Sequence, residues 1–405
     1  MNFIKGEKEM DYSKNVYKLY MIIFFHNLIF AYVIERLFWE QRGMTVLMVV
    51  LCEVIYAATI VVLEIPSGIL ADKLGRKRLL VISAILSMLE FVVLINANSF
   101  MDFAFVTFMA GVSGACSSGA FNALLYDSLL ISNKQSMFEK ILGRINAFDF
   151  LAAVIAALSG SVLAKFYGFE LNYKLSVISM FVAFAFTLSL KEPPKLKCGI
   201  QDEESIEGVL GYFRSAVAFY KSNPKVAFMV INAMAMGACI NYLDEFWQLY
   251  LRDIGYSVLF FGVFSSLSLL IRIPGNLMSS YLIKYVREER ILVFILAVTS
   301  VGFYAAGAFP GVIGIAAIVI IFLASGLVDP LVSGYLHHRT RSDIRATVDS
   351  FQSLGKRAIM FVAGIGFGYI SSISDVAIGF VFLGTVCFLF LILFLKNIKN
   401  LDRIN

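Results

Sequence analysis

The sequence predicts an all-α membrane protein of about twelve transmembrane helices, arranged as two pseudo-symmetric six-helix bundles. Three observations predict it: an apolar excess too large for one aqueous core, apolar runs of bilayer length, and an internal repeat. Of 405 residues, 59% are hydrophobic and 16% charged, and the mean hydropathy is +0.81. A soluble domain carries about a quarter charged residues. Lipid accepts this surplus of Leu, Ile, Val and Phe, and Phe alone supplies 38 residues. The five cysteines (Cys52, Cys116, Cys198, Cys239, Cys387) show no paired spacing. They read as reduced small hydrophobes and point to neither a disulfide framework nor a metal site.

A spanning helix needs about 20 mostly apolar residues. Such runs fall at 17–38, 46–70, 79–97, 103–127, 146–165 and 171–190, then at 226–246, 258–280, 291–309, 311–336, 348–371 and 375–396. No period-2 alternation recurs, which argues against a barrel of strands. The first run holds His26, Asn27 and Glu35 and lacks a small-residue cleavage site before Glu40, so it reads as a span and not a signal peptide.

Charge placement sets the expected orientation. One set of alternate loops carries Lys73, Arg76, Lys77 and Arg78, then Lys134, Lys140 and Arg144, then Lys284, Arg287 and Arg290, then Arg339, Arg341 and Arg345. Lys5, Lys8, Lys14 and Lys18 lie on the same side, and the opposite loops hold little beyond Arg42 and Arg252. The basic side is expected to be cytoplasmic, with both termini inside the plasma membrane. The net charge of +5 is small, and no nucleic-acid partner is implied.

The one sizeable polar segment, 191–225, opens near Pro193-Pro194 and carries Asp202, Glu203, Glu204 and Glu207. It reads as a linker ending in an amphipathic helix at the membrane face. It separates a bundle at 1–190 from one at 226–405. Shifting the second half back by about 208 residues superposes Ile273-Pro274 on Ile65-Pro66 and Phe246-Trp247 on Phe38-Trp39. One residue off that register, Ser325-Gly326 meets Ser118-Gly119. Repeats of six spans keep the same orientation and predict parallel halves with a substrate site between them.

Gly68-Ile69-Leu70-Ala71-Asp72-Lys73-Leu74-Gly75-Arg76-Lys77 follows the second span. It resembles the signature loop of the major facilitator superfamily. The preceding Glu64-Ile65-Pro66-Ser67-Gly68, with Leu125-Tyr126-Asp127-Ser128 and Arg345-Ala346-Thr347, resembles a bacterial subgroup of it. The resemblance implies that fold, alternating access to a small solute and a monomer. It also implies that Asp72 latches one side shut against the start of span eleven. Gly75 permits a tight turn and the basic residues anchor to headgroups; a plain topological turn is the alternative. One departure concerns span five, where Ala157-Leu158-Ser159-Gly160-Ser161 lacks the proline pattern of drug–proton antiporters in the family.

Ionisable residues within spans are costly and read as functional. Glu64 and Asp149 are acids of the first half, while Arg272 and Lys356 or Arg357 are bases of the second. All are expected within about two turns of the basic side. The resemblance pairs span two with eleven and five with eight, which would make Glu64–Lys356/Arg357 and Asp149–Arg272 a cytoplasmic gate. Arg36 with Asp244 or Glu245 would form an outer gate, with Trp39 and Trp247 as interfacial anchors. The alternatives are that the cytoplasmic charges snorkel to the interface and pair within their own half, and that the outer charges are solvated at their helix ends.

The family cavity is lined by spans one, four, seven and ten. Its polar candidates are His26 and Asn27; Asn122, Tyr126 and Asp127; Asn232 and Asn241; and Asp329. Their apolar surroundings suit an amphipathic solute better than a sugar. His26, Glu35 and Asp127 are candidate proton carriers. No G-x-x-x-x-G-K-[ST] loop and no metal-ligand spacing occurs, so neither cofactor nor metal is expected, and no nucleophile–base set suggests an enzyme. The leading expectation is proton-coupled efflux. The alternatives are an uptake or facilitated carrier for a small metabolite, and a lipid flippase or sensor.

Overall fold

A backbone in hydrocarbon must satisfy its own polar groups, so each apolar run closes its hydrogen bonds within a helix. In the computed structural model, which describes residues 12–194, 214, 217–340 and 345–401, no strand occurs among the described residues. The first span consists of α1 (Ser13–Asn27) and α2 (Glu35–Gln41). Spans two to six are α3 (Val46–Leu74), α4 (Arg76–Asn96), α5 (Phe100–Ile131), α6 (Phe138–Tyr167) and α7 (Phe169–Ser189). Span seven is α8 (Pro224–Asp253). Span eight is broken into α9 (Val258–Leu270) and α10 (Arg272–Leu282), and span nine is α11 (Glu288–Ala308). Span ten is broken into α12 (Val312–Ser325) and α13 (Val328–Arg339), followed by α14 (Arg345–Ile373) and α15 (Val376–Leu401).

Eleven of these stretches are long and apolar enough to cross a bilayer. The expected span at 348–371 forms as α14 but is not among them; Lys356 and Arg357 interrupt its apolar character. The expected amphipathic helix falls largely at 195–213, 215 and 216, outside the described residues.

Several helices run past their apolar segments, and this corrects the expected depth of four charges. Glu64, Asp149, Arg272 and Lys356 each lie about three turns from the end of their helix on the basic side. Backbone hydrogen bonding continues a helix beyond the hydrocarbon, where polar side chains still permit it.

Contacts divide the chain into two compact units. One comprises Met1–Gly43, Cys52–Cys198 and Val258–Ser265; the other comprises Met44–Leu51, Gly199–Ser257 and Ser266–Asn405. In the first, α4 packs on α5 and α7, and α1 on α7 and α6. Small hydroxyls join α4 to α5: Ser113 Oγ lies 2.9 Å from Ser83 Oγ and 2.8 Å from Ser87 Oγ. Such groups let helices approach where lipid gives no hydrophobic drive. In the second, α11 packs on α15 and α12, and α8 on α15 and α14. There the Tyr242 hydroxyl donates to the Met360 carbonyl (2.7 Å) and that of Tyr250 to Ala306 (2.8 Å). Large apolar side chains such as Leu277 and Val312 stand 71% and 76% exposed, as a lipid-facing surface requires. Both tryptophans, expected at the interface, are buried instead. Trp39 packs on Phe103 with ring centroids 4.6 Å apart and lies under the Arg36 guanidinium.

Candidate functional site

The first span is helical to Asn27 and resumes helical geometry only at Tyr32. Span six repairs the gap. Asn172 donates to the carbonyls of Phe30 and Gly160, both at 2.8 Å. Ser179 donates to the Phe25 carbonyl (2.7 Å), and Ser176 Oγ accepts from the Ala31 amide (3.2 Å). Asn172, Ser176 and Ser179 occupy one helical face, so the freed backbone groups meet a polar stripe. A discontinuous span is a pointer to a binding site.

His26 closes the last turn of α1 beside this gap. Half-buried, it lines a partly open cavity of about 220 Å3 between spans one, three, four and six, and Asn122 of α5, an exposed residue, lines the same cavity. The walls are mostly aliphatic and aromatic, including Ile22, Leu80, Phe121 and Met180. Several lining hydroxyls are taken: Ser83 by Ser113 (2.9 Å), Ser117 by the Gly114 carbonyl (3.1 Å) and Thr187 by that of Ala183 (2.8 Å). Among the described residues no hydrogen bond holds His26 or the Asn122 amide. Sequence reading placed both residues on a cavity lined by spans one, four, seven and ten; here they line one formed by spans one, three, four and six. The remaining candidates do not join them. Asn27 and Asn232 donate to carbonyls of their own helices, Ile23 (3.1 Å) and Phe228 (2.7 Å). Tyr126 is exposed and lies edge-on to Phe138. Asn241 is half-buried on α8, and Asp329 is exposed in the first turn of α13.

The loop after span two is held by two carboxylates. Gly75 adopts φ +102°, open to glycine and strained for other residues, and delivers the chain into α4. The Glu192 carboxylate accepts from the Arg76 and Lys77 amides at 2.8 and 2.7 Å, capping α4 where its dipole is positive. Arg76 in turn donates to the Asp127 carboxylate and to the Ala123 carbonyl (2.9 Å). Asp127 is therefore an ion-pair partner of the loop. The side chain of Asp72 lies outside the described residues, as do those of Arg345, Ala346 and Thr347. Glu64, Gly68 and Arg76 line a second cavity of about 400 Å3 between α3 and α5.

Both long-range arginines pair within their own unit. Arg36 is 4% exposed, bonds Glu53 at 2.9 Å and lies 3.7 Å from Glu35. Arg272 bonds Asp244, with its guanidinium 4.6 Å over the Phe322 ring. Asp244 also lies in the fields of Glu245 and Lys356. Asp149 and Arg357 are half-buried and Lys356 is exposed. Sequence reading passed over Glu53, Glu192 and the Asn172–Ser176–Ser179 stripe. Glu53 was visible as a carboxylate inside the 46–70 run, and the stripe as polar residues at helical spacing within 171–190.

The family model described as Major Facilitator Superfamily matches residues 19–364. A bicyclomycin resistance protein homolog of Haemophilus influenzae is 24% identical over 232 residues, covering 57% of this chain and 56% of that protein. An uncharacterized transporter of Buchnera aphidicola is 31% identical over 124 residues, 31% of this chain and 30% of its own. The chain thus spans about half or less of the length of these curated relatives. Among solved structures, the nucleoside transporter NupG matches with TM-score 0.79 at 16% identity, over 95% of this chain and 99% of its own. A D-xylose-proton symporter matches with TM-score 0.70 at 10% identity, over 95% and 96%.

Proposed function

The chain belongs to the major facilitator superfamily and is a transporter rather than an enzyme, and we propose that it exports a small amphipathic solute in exchange for protons. The observation that carries this reading is the cavity beside the broken first span, whose walls are mostly apolar and whose lining hydroxyls Ser83, Ser117 and Thr187 are engaged within the protein. The likeness to a bicyclomycin resistance protein homolog supports efflux. Carboxylates inside the spans, with Glu35 beside Arg36 and Glu53, support proton coupling. The plasma membrane with both termini cytoplasmic, and a monomeric carrier, belong to the same proposal.

The charged gates are part of it. Glu64 with Lys356/Arg357, Asp149 with Arg272, and Arg36 with Asp244 or Glu245 are the partners proposed to form as the carrier turns over. The Arg36–Glu53 and Arg272–Asp244 pairs supply the alternative partners. Restoration of transport by Glu64→Lys combined with Lys356→Glu and Arg357→Glu would support the first gate; failure to restore it would remove that gate.

The test of the whole reading is proton movement in inverted membrane vesicles. An inside-acid gradient is imposed, and lipophilic cations, neutral antibiotics and small metabolites are added in turn. Proton release by one class, lost in Asp72→Asn, supports exchange. No release by any class, with folded protein present, favours uptake. That second reading rests on the absent proline pattern at Ala157–Ser161.

A further inference from the structure

Within the first unit, the His26–Asn122 cavity has a chemistry of its own. Apart from His26, every residue lining it is uncharged, so a bound ion would have no compensating partner. A dry apolar cavity of about 150 Å3 holds a benzene ring, and this one measures about 220 Å3. Its lining hydroxyls Ser83, Ser117 and Thr187 are engaged as described, while the imidazole and the carboxamide are not. A carboxamide presents a donor and an acceptor side by side. It therefore pairs through two parallel hydrogen bonds with a ligand edge carrying the same two groups in reverse. A neutral imidazole adds one donor and one acceptor. Phe121 adds an aromatic side chain to the lining, against which a flat ligand can pack.

We propose that this partly open cavity of the first unit, lined by spans one, three, four and six, seats a small neutral cyclic amide or equivalent heteroaromatic ring. Asn122 reads its donor–acceptor edge and His26 holds a second polar atom. This rests on the transporter reading only in taking the ring to be part of the transported solute; occupation of the cavity does not depend on it.

The experiment is equilibrium binding to the purified full chain in lipid nanodiscs, with 2-pyridone, toluene and benzoate as probes. Wild type is expected to bind 2-pyridone well above toluene and benzoate. Asn122→Leu is expected to weaken 2-pyridone at least about tenfold and to leave toluene little changed, because the lost pair of bonds is polar. His26→Leu should weaken 2-pyridone in the same direction. Ala84→Phe, which fills the cavity from α4, should abolish binding of both ring probes. A thermal melt of each variant establishes that it is folded. The proposal is overturned if wild type does not bind 2-pyridone, or if folded Asn122→Leu and Ala84→Phe bind it as wild type does. Cavity binding without solute movement in vesicles would sink the transport reading alone. Solute-driven proton movement unchanged in Ala84→Phe would sink only the assignment of the seated ring to the transported solute.

Discussion

Spans one and seven are counterparts under the repeat, yet one is broken and the other is not. Span one loses helical geometry between Asn27 and Tyr32, whereas α8 runs unbroken from Pro224 to Asp253. The difference lies in what faces them. Asn172, Ser176 and Ser179 of span six bond the freed backbone of span one. At the offset of 208 residues, span twelve has Phe380, Gly384 and Cys387 in their place. Two of these have no strong donor or acceptor in the side chain and the third is a thiol, so span seven must satisfy its own backbone. The second unit places its breaks elsewhere, near Ile271 in span eight and at Gly326–Leu327 in span ten. In the first unit the irregular backbone thus lies where a neighbour supplies polar side chains, and it adjoins the cavity.

Charge differs between the two regions in the same sense. Arg36 is sealed, at 4% exposure, while the Arg272 and Asp244 side chains are 31% and 36% exposed. The largest expected effect follows. Arg36→Leu removes a buried guanidinium and its 2.9 Å ion pair with Glu53 and should destabilise by about 3 kcal/mol. Asp244→Asn should cost about 1 kcal/mol or less, because water screens a half-exposed pair. Denaturant unfolding of both variants in the same detergent checks this, and equal losses would erase the distinction.

Next comes the repair of span one. Asn172→Leu should cost about 1–3 kcal/mol, chiefly for the Phe30 carbonyl it orphans, because the Gly160 carbonyl keeps its bond within α6. Ser179→Ala should cost about 1 kcal/mol by the same measurement. If Cys387→Ala, at the matching place in span twelve, costs as much as Ser179→Ala, the argument from polar repair fails.

Smaller still are effects at the loop after span two. Gly75→Ala forces a side chain into φ +102°, with its Cβ about 3.1 Å from the Glu192 carboxylate, and should lose about 1–3 kcal/mol. Glu192→Gln keeps only one of the two hydrogen bonds from the Arg76 and Lys77 amides, because its NH2 group cannot accept, and removes the charge at the α4 terminus, costing about 1–2 kcal/mol. Its effect should shrink as salt is raised, which separates charge from packing.

Much of this was legible in the chain. Apolar run length specified the helices, because a bilayer fixes how many residues must be apolar. Gly68–Lys77 pointed to the family, and His26 and Asn122 stood out as polar residues in apolar runs. The break in span one was not legible, since Leu28, Ile29 and Phe30 are as apolar as their neighbours. The partners of Arg36 and Arg272 were not legible either. A charge within a span announces that it needs a counter-charge, but several carboxylates lie within reach along the sequence.

The sequence by itself determined the class of solvent, the number and polarity of the helices, and the repeat. These follow from local composition, read one helix at a time. Only the tertiary structure decided which polar side chains meet: Asn172 with the Phe30 carbonyl, Arg36 with Glu53, His26 with Asn122 around one cavity. Such pairings depend on how each helix is rotated about its axis. That rotation is set by packing against several neighbours at once, which no single helix encodes.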